Sequence, residues 1–235
     1  QVIALVEVKK LMNGIRDTAT DYLTNWYADD ISLSTWIRRG QIWCDVYEAQ
    51  TSDGKLGKVL FLLRHRAKAS TLYFFATSVA AFYAVLPRVI EDTVSYGPMA
   101  LNIVEKGGCV ANELQAQGYP LYRTLSRMRY LKWDDASHPP EDDRIAYAIP
   151  EEAGEICQLL QITMDPYCEQ VPDVEDIVQA IARQEVLVYH HDREGTIEAV
   201  LTYHLQRSAV QWEFWATHPK WRHNCNGMKL YDVFR

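Results

Sequence analysis

The chain has 235 residues, 48% hydrophobic and 23% charged, a balance that belongs to folded globular proteins and excludes disordered, collagen-like and coiled-coil classes. Its 31 acidic against 24 basic side chains leave a formal net charge of -7, so no summed positive field collects nucleic acid or an anionic membrane. The five cysteines are odd in number and widely spaced, which points to reduced thiols and a cytoplasmic setting, and the most apolar run, Leu72 to Leu86, is shorter than the ~20 residues that cross a bilayer.

Apolar residues at helical spacing (Val2, Leu5, Val8, Leu11, Met12, Ile15, Ala19, Leu23, Trp26) predict an amphipathic helix from the start to about Tyr27. Three strands are expected over Gln41 to Ala49, Lys58 to His65 and Ser70 to Thr77, followed by a helix that Ser78 caps and that runs to about Leu86. A short apolar run at Ala100 to Val104, a helix ending near Gly118 and a strand over Tyr122 to Leu131 complete a first domain, 1–131. The acidic segment Lys132 to Arg144, with Pro139-Pro140, has little to bury and reads as a linker. In the second domain, 145–235, helices are expected over Glu151 to Met164 and Val174 to Arg183, then strands at 186–191, 196–205 and 210–217.

The second domain thus restarts the order of the first, and sequence anchors align the two. Leu72-Tyr-Phe-Phe-Ala-Thr77 matches Trp212-Glu-Phe-Trp-Ala-Thr217 at an offset of 140, while Gly54 and Gly195, and Val59 and Val200, match at 141. An internal duplication follows, with Phe74 and Phe214 on equivalent central strands.

Chemistry concentrates after the last strand, in Thr217-His-Pro-Lys-Trp-Arg222-His-Asn-Cys225-Asn-Gly227. A strand that passes through a tight loop into an amphipathic helix aims free N–H groups and the positive helix end at one spot, which suits phosphate. Arg222 adds a charged fork, and a glycine lets a pyrophosphate approach the main chain.

With Pro219, Arg222 and Gly227 in register, this segment resembles the coenzyme A signature of the GNAT acetyltransferase superfamily. The resemblance implies two tandem GNAT-like domains of mixed α/β fold, each a twisted, largely antiparallel sheet with helices on both faces. It implies acetyl-CoA (coenzyme A) as co-substrate and N-acyl transfer, by direct attack in a ternary complex, to a small-molecule or peptide amine. It also implies that Arg222, His223, Asn224, Cys225, Asn226 and Gly227 hold the pyrophosphate, that Ala216 and Thr217 carry the pantetheine and thioester, and that Glu213 is the general base, its carboxylate surrounded by Trp212, Phe214 and Trp215. Cys225 stands where the family has its first glycine, so restoring glycine is expected to tighten coenzyme A binding and slightly lower stability through the unfolded chain. The loop after the third strand of the first domain lacks the arginine and glycines and looks like a degenerate copy. Measured against the family, two or three further strands, a helix and a tyrosine acting as general acid are expected beyond Arg235.

The residues keep other readings open. Glu213 alternates as a solvent-facing strand residue, Arg222 and Gly227 as a surface arginine and a turn glycine. His218, His223 and Cys225 share a loop without a fourth metal ligand at suitable spacing, so no metal is expected. The acidic loop from Asp165 to Asp176, with Glu169 and Asp173, suits a cationic acceptor or plain solvation. The alternative function is a catalytically inactive acyl-CoA sensor or protein-interaction module, and a homodimer or strands supplied by a partner chain are left open.

Overall fold

A computed structural model describes residues 4–25, 30–66, 68–103, 109–125, 142–192, 195–206 and 209–234. The chain separates into two compact units, Gln1–Thr124 and Leu125–Arg235. Both are mixed α/β bodies.

In the first unit, helix α1 (Leu5–Thr18) is followed by a short strand β1 (Leu23–Thr24) and helix α2 (Asp30–Arg38). The first helix therefore stops nine residues before the expected Tyr27. Ala19 turns to extended geometry (ψ 137°), and Leu23, counted in sequence toward the apolar helix face, enters the sheet instead. Strands β2 (Ile42–Gln50), β3 (Leu56–Arg64) and β4 (Ser70–Ala76) form an antiparallel meander. Ser78 then caps α3 (Val79–Thr93) by accepting from the Ala81 N–H, and this helix continues through Pro87 for almost two turns past the expected end. Strand β5 (Met99–Leu101) returns parallel to β4, and α4 (Cys109–Ala116) follows. Tyr122 to Leu125 form no strand, and residues 126–131 of that expected strand lie outside the described residues.

Both faces of this sheet are covered. Val59, Phe61, Phe74 and Ala76 pack under α3 and α4, and Leu60, Leu62, Tyr73 and Phe75 pack under α1 and α2. Burial on both sides explains why β3 and β4 read as unbroken apolar runs, with all seven residues of β4 buried.

The second unit runs β6 (Ile145–Tyr147), α5 (Ala153–Thr163), α6 (Val174–Ala182), β7 (Val186–His190), β8 (Ile197–Gln206), β9 (Ala209–Thr217) and α7 (Gly227–Phe234). Its four strands pair antiparallel in the order β6-β7-β8-β9. Helices α5 and α6 cover Val188, Val200 and Ala216, with Phe214 on the same side, and α7 covers Leu187, Tyr189, Leu201 and Tyr203. Strand β6, directly after the expected linker, was not expected from the sequence, and residues 132–141 of that linker lie outside the described residues. Its end belongs to the second unit, where the Asp142 carboxylate accepts from Arg144 (3.0 Å) and from the Lys229 ammonium on α7 (2.9 Å).

The residue-by-residue repeat does not hold. Strand β4 is an inner strand, flanked by β3 on one side and by β1 and β5 on the other, whereas β9 is an edge strand among the described residues. Phe74 faces α3, the helix after the meander, but Phe214 faces α5 and α6, the helices before it. A slip of one residue inverts every side chain on a strand. Matching by face pairs Phe74 with Trp215, Leu60 with Val200 and Tyr47 with Tyr189, so the shared Phe-x-Ala-Thr string is not the structural equivalence. Among the described residues no helix is long and apolar enough to cross a membrane.

Candidate functional site

Where β9 ends, the backbone makes a 3-10 turn (Pro219–Asn224), a single left-handed residue, and then α7. Proline starts the turn where an N–H is dispensable, and the His218 ring accepts from the Lys220 N–H (3.2 Å). Cys225 takes the left-handed conformation (φ 56°, ψ 14°) that glycine adopts without cost, and its side chain is exposed. Beyond it, the Met228 and Lys229 N–H groups are used by the Cys225 and Asn226 carbonyls (3.0 Å each). Among the described residues the N–H groups of Asn226 and Gly227, at the start of the helix, meet no backbone carbonyl, Gly227 being buried and Asn226 half-buried. Arg222 is exposed beside them, its Nε 3.5 Å from the Thr217 carbonyl.

The remaining residues expected at this anion site are placed differently. Asn224 and Asn226 turn their amides inward to the Glu198 carboxylate, at 3.5 and 2.9 Å, and do not project from the turn as phosphate donors. Gly227 is needed for packing and not for ligand approach. A Cβ there would overlap the Thr217 hydroxyl, and the Trp215 indole N–H donates to the Gly227 carbonyl (3.0 Å), so helix and strand meet at this point. His223 is exposed, with the Cys225 sulfur 3.9 Å from its carbonyl. Ala216 is buried in the core beneath α5 and α6, and Thr217 is half-buried.

Glu213 occupies a β-bulge. Thr202 pairs with Phe214 and Tyr203 with Trp212, leaving Glu213 as the extra residue, and the Phe214 N–H is taken by the Thr202 hydroxyl (3.0 Å). The bulge brings Trp212 and Trp215, three positions apart, onto the same face, where both rings lie against Tyr231 of α7 (5.1 and 6.1 Å). Glu213 itself is exposed, so the burial among aromatic rings expected of a general base is absent. It stands four residues, roughly 13 Å along an extended strand, before Thr217.

The corresponding edge in the first unit is filled by the chain itself. The Thr20 and Asp21 N–H groups donate to the Thr77 carbonyl (3.0 and 3.2 Å), Leu23 and Thr24 pair with Ala76 and Phe75, and the Thr24 hydroxyl donates to the Phe74 carbonyl (2.8 Å). Asn25, only 1% exposed, completes the row. Its amide donates to the Leu72 and Asn102 carbonyls (2.9 and 3.0 Å) and its carbonyl accepts the Phe74 N–H (2.8 Å), bridging β4 to the chain just past β5. A polar residue between two aromatic positions, Tyr22 and Trp26, was the only sequence sign of it.

The two loop carboxylates expected to meet a cationic acceptor each accept a nearby main-chain N–H. Asp173 caps α6 by accepting from Asp176 N–H (2.9 Å), and Glu169 accepts from Asp165 N–H (2.6 Å). His190 and His191 engage different acids, Glu152 (2.6 Å) and Glu198 (2.9 Å). Among the described residues no group of three or more His, Cys, Asp or Glu side chains could hold a metal ion. A separate open groove of about 480 Å³, lined by Tyr147, Leu187, Tyr203, Leu205, Val210 and Phe234, lies at the other end of α7, and no charged side chain lines it among the described residues. No protein-family model matches the chain, and no curated protein sequence is similar to it.

Proposed function

We propose that the second unit binds an acyl-coenzyme A through the turn that joins β9 to α7 and transfers its acyl group, acetyl in the simplest case, to an amine. The observation that carries this reading is the contrast between the two meanders. In the first, every carbonyl and N–H along the outer edge of β4 described above is met by Thr20 to Asn25. In the second, β9 is an edge strand among the described residues, and the turn beyond it carries exposed Arg222 and leads to the Asn226 and Gly227 N–H groups, which meet no backbone carbonyl there.

In this reading the pyrophosphate lies at Arg222 and the N–H groups of Asn226 and Gly227, and the pantetheine arm runs along the edge of β9 toward the bulge. The amine nitrogen attacks the thioester carbon, the carbon–sulfur bond breaks, and the proton lost by the amine ends on the coenzyme A thiol. Glu213 at the bulge is the carboxylate placed to relay that proton through water. Its exposure favours a second reading, in which the unit binds acyl-coenzyme A without turning it over.

Calorimetric titration of coenzyme A into the wild-type chain and Arg222→Ala tests the site. Removing a charge-assisted contact is expected to weaken binding by about ten- to a hundredfold. Equal affinity in both proteins, or no binding by either, overturns the assignment. Amine acetylation by the wild type, reduced at least tenfold in Glu213→Gln, separates the enzyme from the sensor.

A further inference from the structure

Glu198 lies on β8 directly behind the turn and has no exposed surface, an acid set within the otherwise apolar Ile197-Glu-Ala-Val-Leu201. A buried carboxylate is costly unless charged or polar partners meet it, and here Asn224 and Asn226 meet it from the end of the turn and His191 from just past β7. Its main-chain carbonyl accepts the His218 N–H (2.8 Å) at the turn's entrance. One carboxylate oxygen accepts from Asn226 (2.9 Å) and faces Asn224 (3.5 Å) at the exit. The other meets His191 Nδ1 (2.9 Å), and the His191 ring stacks on Trp221 in the middle (4.4 Å between centroids, 21° between planes). The exit of the Pro219–Asn224 segment is thereby tied to the Glu198 side chain directly and its middle through His191, while its entrance is held by the Glu198 main chain.

Resting on the anion-site reading above, we infer that Glu198 is a positioning residue that sets the shape of the turn and, through its negative charge, holds the turn's affinity for anions down. The geometry has two consequences of opposite sign. By drawing the Asn224 and Asn226 side-chain amides to itself, the carboxylate fixes the course of the main chain that carries the Asn226 and Gly227 N–H groups. By placing a full negative charge behind those donors, it opposes any phosphate in front of them, and the low-dielectric surroundings leave that repulsion poorly screened. Glutamine at this position keeps one acceptor for Asn226 and offers an N–H to His191 Nδ1, but carries no charge. Alanine abolishes both effects and leaves two amides and a ring without their partner.

The test uses the whole chain as wild type, Glu198→Gln and Glu198→Ala, with amide hydrogen exchange over residues 218–227 and calorimetric titration of coenzyme A and of inorganic pyrophosphate. Glu198→Ala is expected to speed exchange across the turn by at least about tenfold and to weaken both ligands by a similar factor. Glu198→Gln is expected to keep exchange within about twofold of wild type and to tighten both ligands severalfold. If Glu198→Ala does not fold, Asn226→Ala removes the 2.9 Å contact from the turn's side and is expected to speed exchange there by a smaller factor. Unchanged exchange in these variants, or a Glu198→Gln that weakens the ligands as much as alanine, overturns the inference. A wild-type chain that binds neither ligand refutes the anion site and the charge effect together, while the exchange measurements still decide whether Glu198 orders the turn.

Discussion

Cys225→Gly should make the second unit more stable, the reverse of what the unfolded chain alone would suggest. Cys225 sits at φ 56° and ψ 14°, where an L residue is disfavoured by ~1 to 2 kcal/mol. Its side chain is exposed, and its sulfur contacts the His223 carbonyl at 3.9 Å, so deletion forfeits almost no packing. Against the relief of strain stands the extra freedom that glycine gives the unfolded chain, ~0.5 to 1 kcal/mol. The difference is a gain of about 0 to 1.5 kcal/mol, centred near 0.7. Because two units melt in one chain, the measurement is urea unfolding read by amide exchange in β8, which isolates the second unit's transition. Cys225→Ala serves as the control, since it keeps the Cβ and with it the strain. A Cys225→Gly protein less stable than Cys225→Ala would refute the reasoning. The same substitution should tighten coenzyme A binding, since the Cβ no longer crowds the pyrophosphate.

Asn25→Ala leaves one buried carbonyl and one buried N–H on β4, and the half-buried Asn102 carbonyl past β5, without this partner, so the first unit should lose on the order of 3 kcal/mol and the Phe74 amide should exchange much faster; a loss under about 1 kcal/mol would show that water replaces the amide. The hydrogen bonds from Arg144, and then from Lys229, hold the Asp142 carboxyl well below the usual carboxylate range. A depressed folded pKa contributes stability above the unfolded value, near ~3.9, and that stability is lost as pH falls through the folded value. Asp142→Asn should accordingly destabilise the second unit at pH 7, with the gap to wild type closing below about pH 4; a gap unchanged between pH 7 and pH 3 would count against it.

The strands of the two meanders, β2 to β4 and β7 to β9, were readable in the sequence because β-branched and aromatic runs bounded by turn residues have few other uses, and Ser78 marked its helix through cap chemistry that is local. The end of that helix was less legible: a proline near the middle of a helix normally ends it, yet α3 carries on through Pro87 to Thr93 with Val89 fully buried against the sheet. The slipped repeat has a sharper cause. With both faces of β3 and β4 covered, alternation no longer says which side a residue faces, so Phe-x-Ala-Thr could be aligned one residue off without violating any hydrophobic pattern. The turn after β9 was legible as a place but not in its parts. Gly227 and the two asparagines belong to the types that bind phosphate, and only the positions of Thr217 and Glu198 reveal that their side-chain sites face inward. Asn25 and Glu198 act through partners 47 and 28 residues away, a distance at which sequence spacing carries no signal.

The cover over the β4 edge also fixes an order of events during synthesis. Thr20 to Asn25 precede the strand they cover by about 50 residues, which a ribosome adds in roughly 3 to 10 seconds. When β4 leaves the exit tunnel, the segment that satisfies its outer carbonyls has already been made and is tethered nearby, so the edge can close on its own chain before it meets a neighbouring one. The last bond to form is the one from Asn25 to the Asn102 carbonyl, 77 residues downstream. Until Asn102 has emerged, the amide lacks its third contact, and a nascent chain paused between β4 and β5 would hold its cover only along the β4 side.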